Sequence, residues 1–295
     1  MKTILGFIYL FIIGACNPAF ALNTYPPFKI QHAIEVIQAT YGDVVKIKPK
    51  TLSKYGRNLD VDTAAQECVC TMPGSETVYT QPTTNSITTI SSSSSSDTIE
   101  IYIEGHKLVN GKLVFISQTA TLDGQNKVTL TTPMARATRI RNFTATDLVG
   151  SISIYEDTAI TNGVPDDSSK VKLVTETGSN NSYLSTTAIS ATDYWIVTSI
   201  TLGIRRSTSA NVDFELQIRE VGKSWYSIFQ LPVASAGTTS VTHEFDPVLI
   251  IPKNHDIRVL AETSINNTAV IVNLVGKSGD CGLFSKSSIV NTCRS

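Results

Sequence analysis

From Thr98 to Val275 the chain is written almost entirely in short runs of β-branched and apolar residues broken by turn signals, and this limits it to antiparallel β architecture. Ile99-Glu100-Ile101-Tyr102-Ile103-Glu104-Gly105 alternates strictly between apolar and polar positions, the pattern of a strand with one wet face. Asp123-Gly124 is a hairpin signal between the runs at 119–122 and 128–130. Further strand-length runs lie at 136–141, 149–155, 170–174, 194–206, 211–219, 225–231, 239–245, 248–251, 256–262 and 268–275. Asn162-Gly163-Val164-Pro165 and Ala236-Gly237 punctuate them. No helical period falls between these runs, so a parallel sheet with crossover helices is excluded. The spacing predicts an all-β fold of antiparallel β-sandwiches, with a small β domain over 71–145 and a jelly-roll-like sandwich over 146–277.

The first part of the chain reads differently. Residues 1–21 have a positive start, an apolar run from Ile4 to Ile13 and the small-x-small site Ala19-Phe20-Ala21, which predicts a cleaved signal peptide. Ile13-Gly14-Ala15-Cys16 is a competing lipoprotein-type processing site at Cys16. Ile30, Ala33, Ile34, Ile37 and Tyr41 fall at helical spacing, so one short N-terminal helix is expected, docked on its own chain. The rest of 22–70 has no period and reads as an irregular attachment segment carrying Lys48, Lys54 and Arg57. Ser91 to Ser96 reads as a flexible connector, and 278–295 as a cysteine-containing tail.

Outside the signal the cysteines are Cys68, Cys70, Cys281 and Cys293, an even number that suits an oxidising compartment. A bridge across one residue is expected to be strained, so Cys68 and Cys70 are expected to reach Cys281 and Cys293. Zinc sites use wider spacings and histidine partners, which disfavours a metal at Cys68-Val69-Cys70.

Charge and motifs narrow the function further. A net charge of −1 gives no long-range attraction to nucleic acid, so none is expected as a partner. His32, His106, His243 and His255 are scattered, and His243-Glu244 lacks the second histidine of a zinc hydrolase. Neither a nucleophile elbow nor a Gly-rich phosphate loop occurs, so no catalytic residue, cofactor or metal is expected. Asp166-Asp167 reads as a solvated acidic loop rather than a calcium site. Two sets of residues remain as candidates. Lys54, Arg57, Arg139 and Arg141 could meet acidic groups of a partner, Arg139 and Arg141 sharing one strand face. Trp225 and Tyr226, at a turn after Gly222-Lys223-Ser224, could stack on a sugar of a surface glycan.

Several elements, taken in order, resemble one family. Lys54-Tyr55-Gly56-Arg57-Asn58-Leu59-Asp60-Val61-Asp62-Thr63 is similar to an element near the start of poorly characterised virion proteins of tailed bacteriophages. The serine-rich stretch, residues 97–106, Thr121-Leu122-Asp123-Gly124-Gln125-Asn126-Lys127-Val128, and Arg139 with the sandwich beyond it follow in the same order. The resemblance runs from about Thr51 to Gly276. It implies a non-enzymatic virion structural protein, a head decoration or fibre-like component with other virion proteins as partners, and a homo-oligomer. The signal and the cysteines depart from that pattern, and they set a rival beside it: a secreted bacterial adhesin or carbohydrate-binding module whose partners are cell-surface proteins. Both readings place the mature chain outside the cytosol, secreted or on a cell or virion surface.

Overall fold

The computed structural model describes residues 25–41, 46–72 and 80–280. Helix α1 (Tyr25–Tyr41) comes first, then β1 (Lys46–Val61) and β2 (Glu67–Cys68). Next come β3 (Ile87–Ser92), β4 (Glu100–Val109), β5 (Lys112–Thr121), β6 (Val128–Met134), β7 (Arg136–Arg141) and β8 (Ile152–Glu156). The short β9 (Ile160–Thr161) and β10 (Val164–Pro165) precede β11 (Val171–Val174). The described chain closes with β12 (Thr187–Ala188), β13 (Asp193–Arg205), β14 (Ala210–Glu220), β15 (Tyr226–Ser235), β16 (Thr239–Ile251), β17 (His255–Thr263) and β18 (Thr268–Asp280).

The pairing is nested. β1 pairs β18, β2 pairs β17, β13 pairs β16 and β14 pairs β15, all antiparallel. Folding such a nested ribbon over on itself yields two facing sheets, β1-β18-β13-β16 and β12-β17-β14-β15 with β2 also on β17. That is a jelly roll of eight strands, β1, β2 and β13 to β18. Its core is closed by Trp195, Val197, Leu202 and Val272 from one sheet and Phe214, Leu216, Ile257 and Val259 from the other. Each fully buried side chain of this size contributes about 1.5–3 kcal/mol.

β13 shows how sequence positions these faces. Trp195 and Val197 point into the core, whereas after a register shift at Thr198 the core positions become Ile200, Leu202 and Ile204. One extra residue flips the alternation, so odd positions give way to even ones. The opposite face of the first half, Tyr194 and Ile196, is covered by Ala33 and Ile37 of α1, with Val248 beside them. The helix therefore docks on its own chain, as its spacing predicts.

Between β2 and β13 the roll is interrupted by a second sandwich. Its sheets are β11-β8-β3-β6 and β5-β4-β7, packed through Ile87, Ile90, Ile101, Ile103, Met134, Ile140, Ile152 and Ile154. The two ends of this insert lie side by side: Cys70 bridges Leu184, and the Thr71 N–H donates to the Tyr183 carbonyl at 2.9 Å. Prolines within the long strands sit at sheet edges, Pro49 on β1, Pro133 on β6, Pro232 on β15 and Pro247 on β16, where a missing N–H donor costs no ladder bond.

Five expectations need correction. A division at 145/146 does not appear, because β8 and β11 pair within the insert and the roll resumes only at β12 and β13. Residues 46–61 are a full strand rather than an irregular attachment segment, and β18 runs to Asp280 through the expected start of the tail at 278. β1 has no clean alternation because its register shifts twice, between Ile47 and Thr51 and between Asn58 and Val61.

The serine run is built in, not a flexible connector. Ser91 and Ser92 are fully buried, Ser92 Oγ donates to Asp97 Oδ2 at 2.5 Å, and Asp97 also accepts from the Val149 and Gly150 N–H groups at 2.9 Å. Small hydroxyl side chains let backbones approach here. Gly163 (φ +77°) packs so closely that any Cβ would strike the Ser92 carbonyl.

Finally, Cys68 and Cys70 are bonded to each other, with Cα atoms 5.3 Å apart. The Cys70 N–H donates to the Cys68 carbonyl at 2.9 Å, a three-residue turn that brings alternate side chains together where an extended strand would not. Cys281, Cys293, Cys16 and the signal segment lie outside the described residues.

Candidate functional site

The insert meets the roll along a seam, and the seam gathers the charged side chains. Arg136 of β7 reaches across to Asp256 of β17, Nε to Oδ1 at 2.7 Å and Nη2 to Oδ2 at 2.9 Å. The two side chains are 3% and 0% exposed. Arg219 of β14 adds Nε to Asp256 Oδ2 at 3.0 Å and Nη2 to Gln81 Oε1 at 2.9 Å. Arg136 Nη1 donates further to the Pro82 and Ala135 carbonyls. With its fork and both lone-pair sets occupied, this desolvated group fixes the insert on the roll.

Beside the lock lies a cavity of about 310 Å³. Lys54 of β1, Glu104 and His106 of β4, Arg139 and Arg141 of β7, and Asp193 of β13 form its polar wall. Leu52, Phe115, Ile189 and Trp195 form its apolar wall. Lys54 Nζ donates to the Thr138 carbonyl at 2.6 Å, Arg139 Nη2 to the Ser53 carbonyl at 2.7 Å, and Arg139 pairs with Glu104 at 3.4 Å. A second cleft adjoins it, where Tyr55 and Tyr183 meet edge to face at 5.4 Å beside the same Lys54, Arg139 and Arg141. No cluster of three metal-ligating side chains occurs among the described residues.

The wall perturbs its own titrating groups. Burial, with Arg139 and Arg141 adding repulsion against a partial offset from Glu104, holds the Lys54 amine down at about 7. Burial first, then Lys54 and Arg136, holds the His106 imidazole at about 3, so it is neutral at ordinary pH. The signs follow from linkage. An unfolded imidazole takes a proton as pH falls through 6.5 while the folded one refuses it until about 3, so stability falls across that window. Charged Lys54 burdens the fold fully below pH 7, and the burden lifts as pH rises from 7 to 10.5. The acid arm is the cleaner test. Urea unfolding of the wild type between pH 6 and 3.5 should carry a slope from His106 of about 1.4 kcal/mol per pH unit, absent in His106→Asn. Equal slopes in the two proteins would show that the ring protonates freely in the fold.

Of the residues singled out in the sequence, the structure brings Lys54, Arg139 and Arg141 together in this cavity. Arg57 stands apart: it donates to Glu176 at 2.8 Å and stacks on Tyr183 at 4.6 Å, inside its own chain. Trp225 takes the guanidinium groups of Arg219 and Arg258 at 4.6 and 4.2 Å, so its stacking is met within the fold, while Tyr226 beside it is 49% exposed. Asp167, read as part of a solvated acidic loop, caps a short 3-10 turn through the Ser169 N–H. Sequence reasoning missed Asp256, Glu104 and His106. The one signal available was Arg136 in the same basic run, and a bulge at Thr138 brings it onto the strand face of Arg139 and Arg141, opposite His106.

No family model matches the chain, and no curated protein matches it. Among solved structures, that of infectious bursal disease virus strain Gx aligns over 80% of this chain and 72% of its own, with 9% identity and a TM-score of 0.21. The Gt strain aligns over 81% and 78%, with 10% identity and a TM-score of 0.17. The VP2 subviral particle of the same virus aligns over 80% and 80%, with 10% identity and a TM-score of 0.16. Scores this low establish neither a shared fold nor a shared role.

Proposed function

We propose that this chain is a non-enzymatic structural protein of a virus particle's surface, with the jelly roll as its base and the inserted sandwich as the presented part. The observation that carries this is the single interruption of a nested eight-strand roll by a whole second sandwich, locked to it by Arg136 and Asp256. Jelly rolls recur as capsid building blocks, and also as lectin domains, so the fold alone does not choose between them. The resemblance in element order to tailed-bacteriophage virion proteins favours the particle. On this reading the roll contacts neighbouring subunits, other copies included, and the insert exposes its apolar loop residues Phe143 (68%) and Val149 (58%) for attachment. The Cys68–Cys70 bridge suits passage through an oxidising compartment.

The test is to purify virus particles from cultures expressing the gene and to label them with an antibody raised against residues 142–150. Gold at regular positions on intact particles, with the chain recovered by mass spectrometry in fixed proportion to the major shell protein, is the expected result. Recovery only from the cell envelope or the medium, with unlabelled particles, would transfer the protein to the adhesin class.

A further inference from the structure

The seam cavity can be considered independently of any particle role. Its lining holds three cationic side chains, Lys54, Arg139 and Arg141, against two carboxylates, Glu104 and Asp193. Glu104 is committed to Arg139, and Asp193 accepts from Ser190 Oγ at 3.1 Å. Arg141 has its guanidinium 5.9 Å from the Phe143 ring. When Lys54 carries its proton, the wall is one negative charge short. It is also short of hydrogen-bond partners: His106, 5% exposed, lines the cavity with Nδ1 unpartnered, and the indole N–H of Trp195 in the same lining has none either. Such buried orphans are rare, because each forfeits its hydration without a replacement bond. The remaining wall, Leu52, Phe115, Ala188 and Ile189, is apolar, and the volume stands at the lower end of small-ligand pockets.

We propose that this cavity binds a small monocarboxylate with an apolar body, its carboxylate taken by Lys54 and Arg141 and its body lying against Leu52, Phe115 and Ile189. A carboxylate supplies the missing charge and accepts from the ammonium and the guanidinium together. A compact inorganic oxyanion would satisfy the cations and leave the apolar wall bare. An uncharged ligand would leave Lys54 burdened. Binding returns the amine to its charged form, so at pH 7.5 complex formation takes up a proton. The groups that face this amine are Arg139, Arg141 and Glu104, and His106 stays neutral there.

Calorimetric titration of the full folded chain with benzoate and with octanoate at pH 7.5, in two buffers of different ionisation enthalpy, tests the proposal. Benzamide and inorganic phosphate serve as comparison probes. Expected are saturable binding of at least one carboxylate, net proton uptake, and a loss of about tenfold or more in affinity in Lys54→Met and in Arg141→Met. Both variants keep an unbranched apolar stem and lose the charged head, and the second alters a group outside the core, so a cooperative melt should survive in it. No carboxylate binding by the folded wild type, or binding unchanged in both variants, would overturn the proposal. Phosphate binding as tightly as the carboxylates, or benzamide matching benzoate, would overturn the ligand class.

Discussion

Asp256→Asn should lower the unfolding free energy by about 3–5 kcal/mol, because it leaves two guanidinium groups facing a neutral amide inside the seam. Arg136 is buried against Asp256 and has no route to water, so its charge stays uncompensated. Arg219 is 19% exposed and holds Gln81 and the Trp225 ring as well, so Arg219→Met should cost markedly less. Equilibrium denaturation of the three proteins checks the ranking. The same loss should appear as faster hydrogen exchange along β7 and β17, the two strands that carry the lock. A change below about 1 kcal/mol in Asp256→Asn would mean that water reaches the pair.

The second large effect concerns β1. A chain begun at residue 62 should show no cooperative unfolding transition, whereas one begun at residue 46 should fold and melt a few degrees lower. The shorter truncation removes α1, whose described buried contribution is Ala33 and Ile37 on Tyr194, Ile196 and Val248. The longer one strips β18 of its outer partner from Lys46 to Val61 and opens the core beside Leu52 and Val61. Gly56 lies in this strand against the Val69 carbonyl and Ser185, with no room for a Cβ. Gly56 therefore makes its close backbone contact to its own chain. Circular dichroism with thermal scans of both truncations decides it, and a sharp melt from the chain begun at 62 would return residues 46–61 to an attachment role.

Much of the fold was legible because strands announce themselves locally. The run at 194–206 was read nearly to its ends, and α1 showed its spacing through Ala33 and Ile37. The partition into units was not legible, since β8 and β11 look no different from roll strands, and pairing with β3 is decided across sixty residues of chain in three dimensions. The serine run misled because its composition is that of a solvated loop, while its hydroxyls are used as substitutes for backbone partners around Asp97 and Gly150. Cys68 and Cys70 misled because a bridge across one residue was expected to be strained, while the chain makes a tight turn there that brings the two side chains together. For the site, Lys54, Arg139 and Arg141 were visible as unexplained charge, but their meeting depends on β1 of the roll facing β7 of the insert. Asp256 sits in a strand run of alternating character and carries no local mark of its partner Arg136, 120 residues earlier.

The nested pairing also sets a timetable for synthesis. Ser53 waits for Asn273, 220 residues further on, before its strand has a neighbour. At about 5–20 residues per second, translation leaves β1 without its neighbour for roughly 10–40 s. The insert, whose strands all pair with one another, is complete well before β18 leaves the ribosome. A waiting strand with free donors and acceptors is a template for aggregation unless its sequence resists pairing with strangers. β1 carries Lys46, Lys48, Lys50, Lys54 and Arg57, with Pro49 among them. Charge and proline in that density keep a nascent strand soluble until its own partner is made.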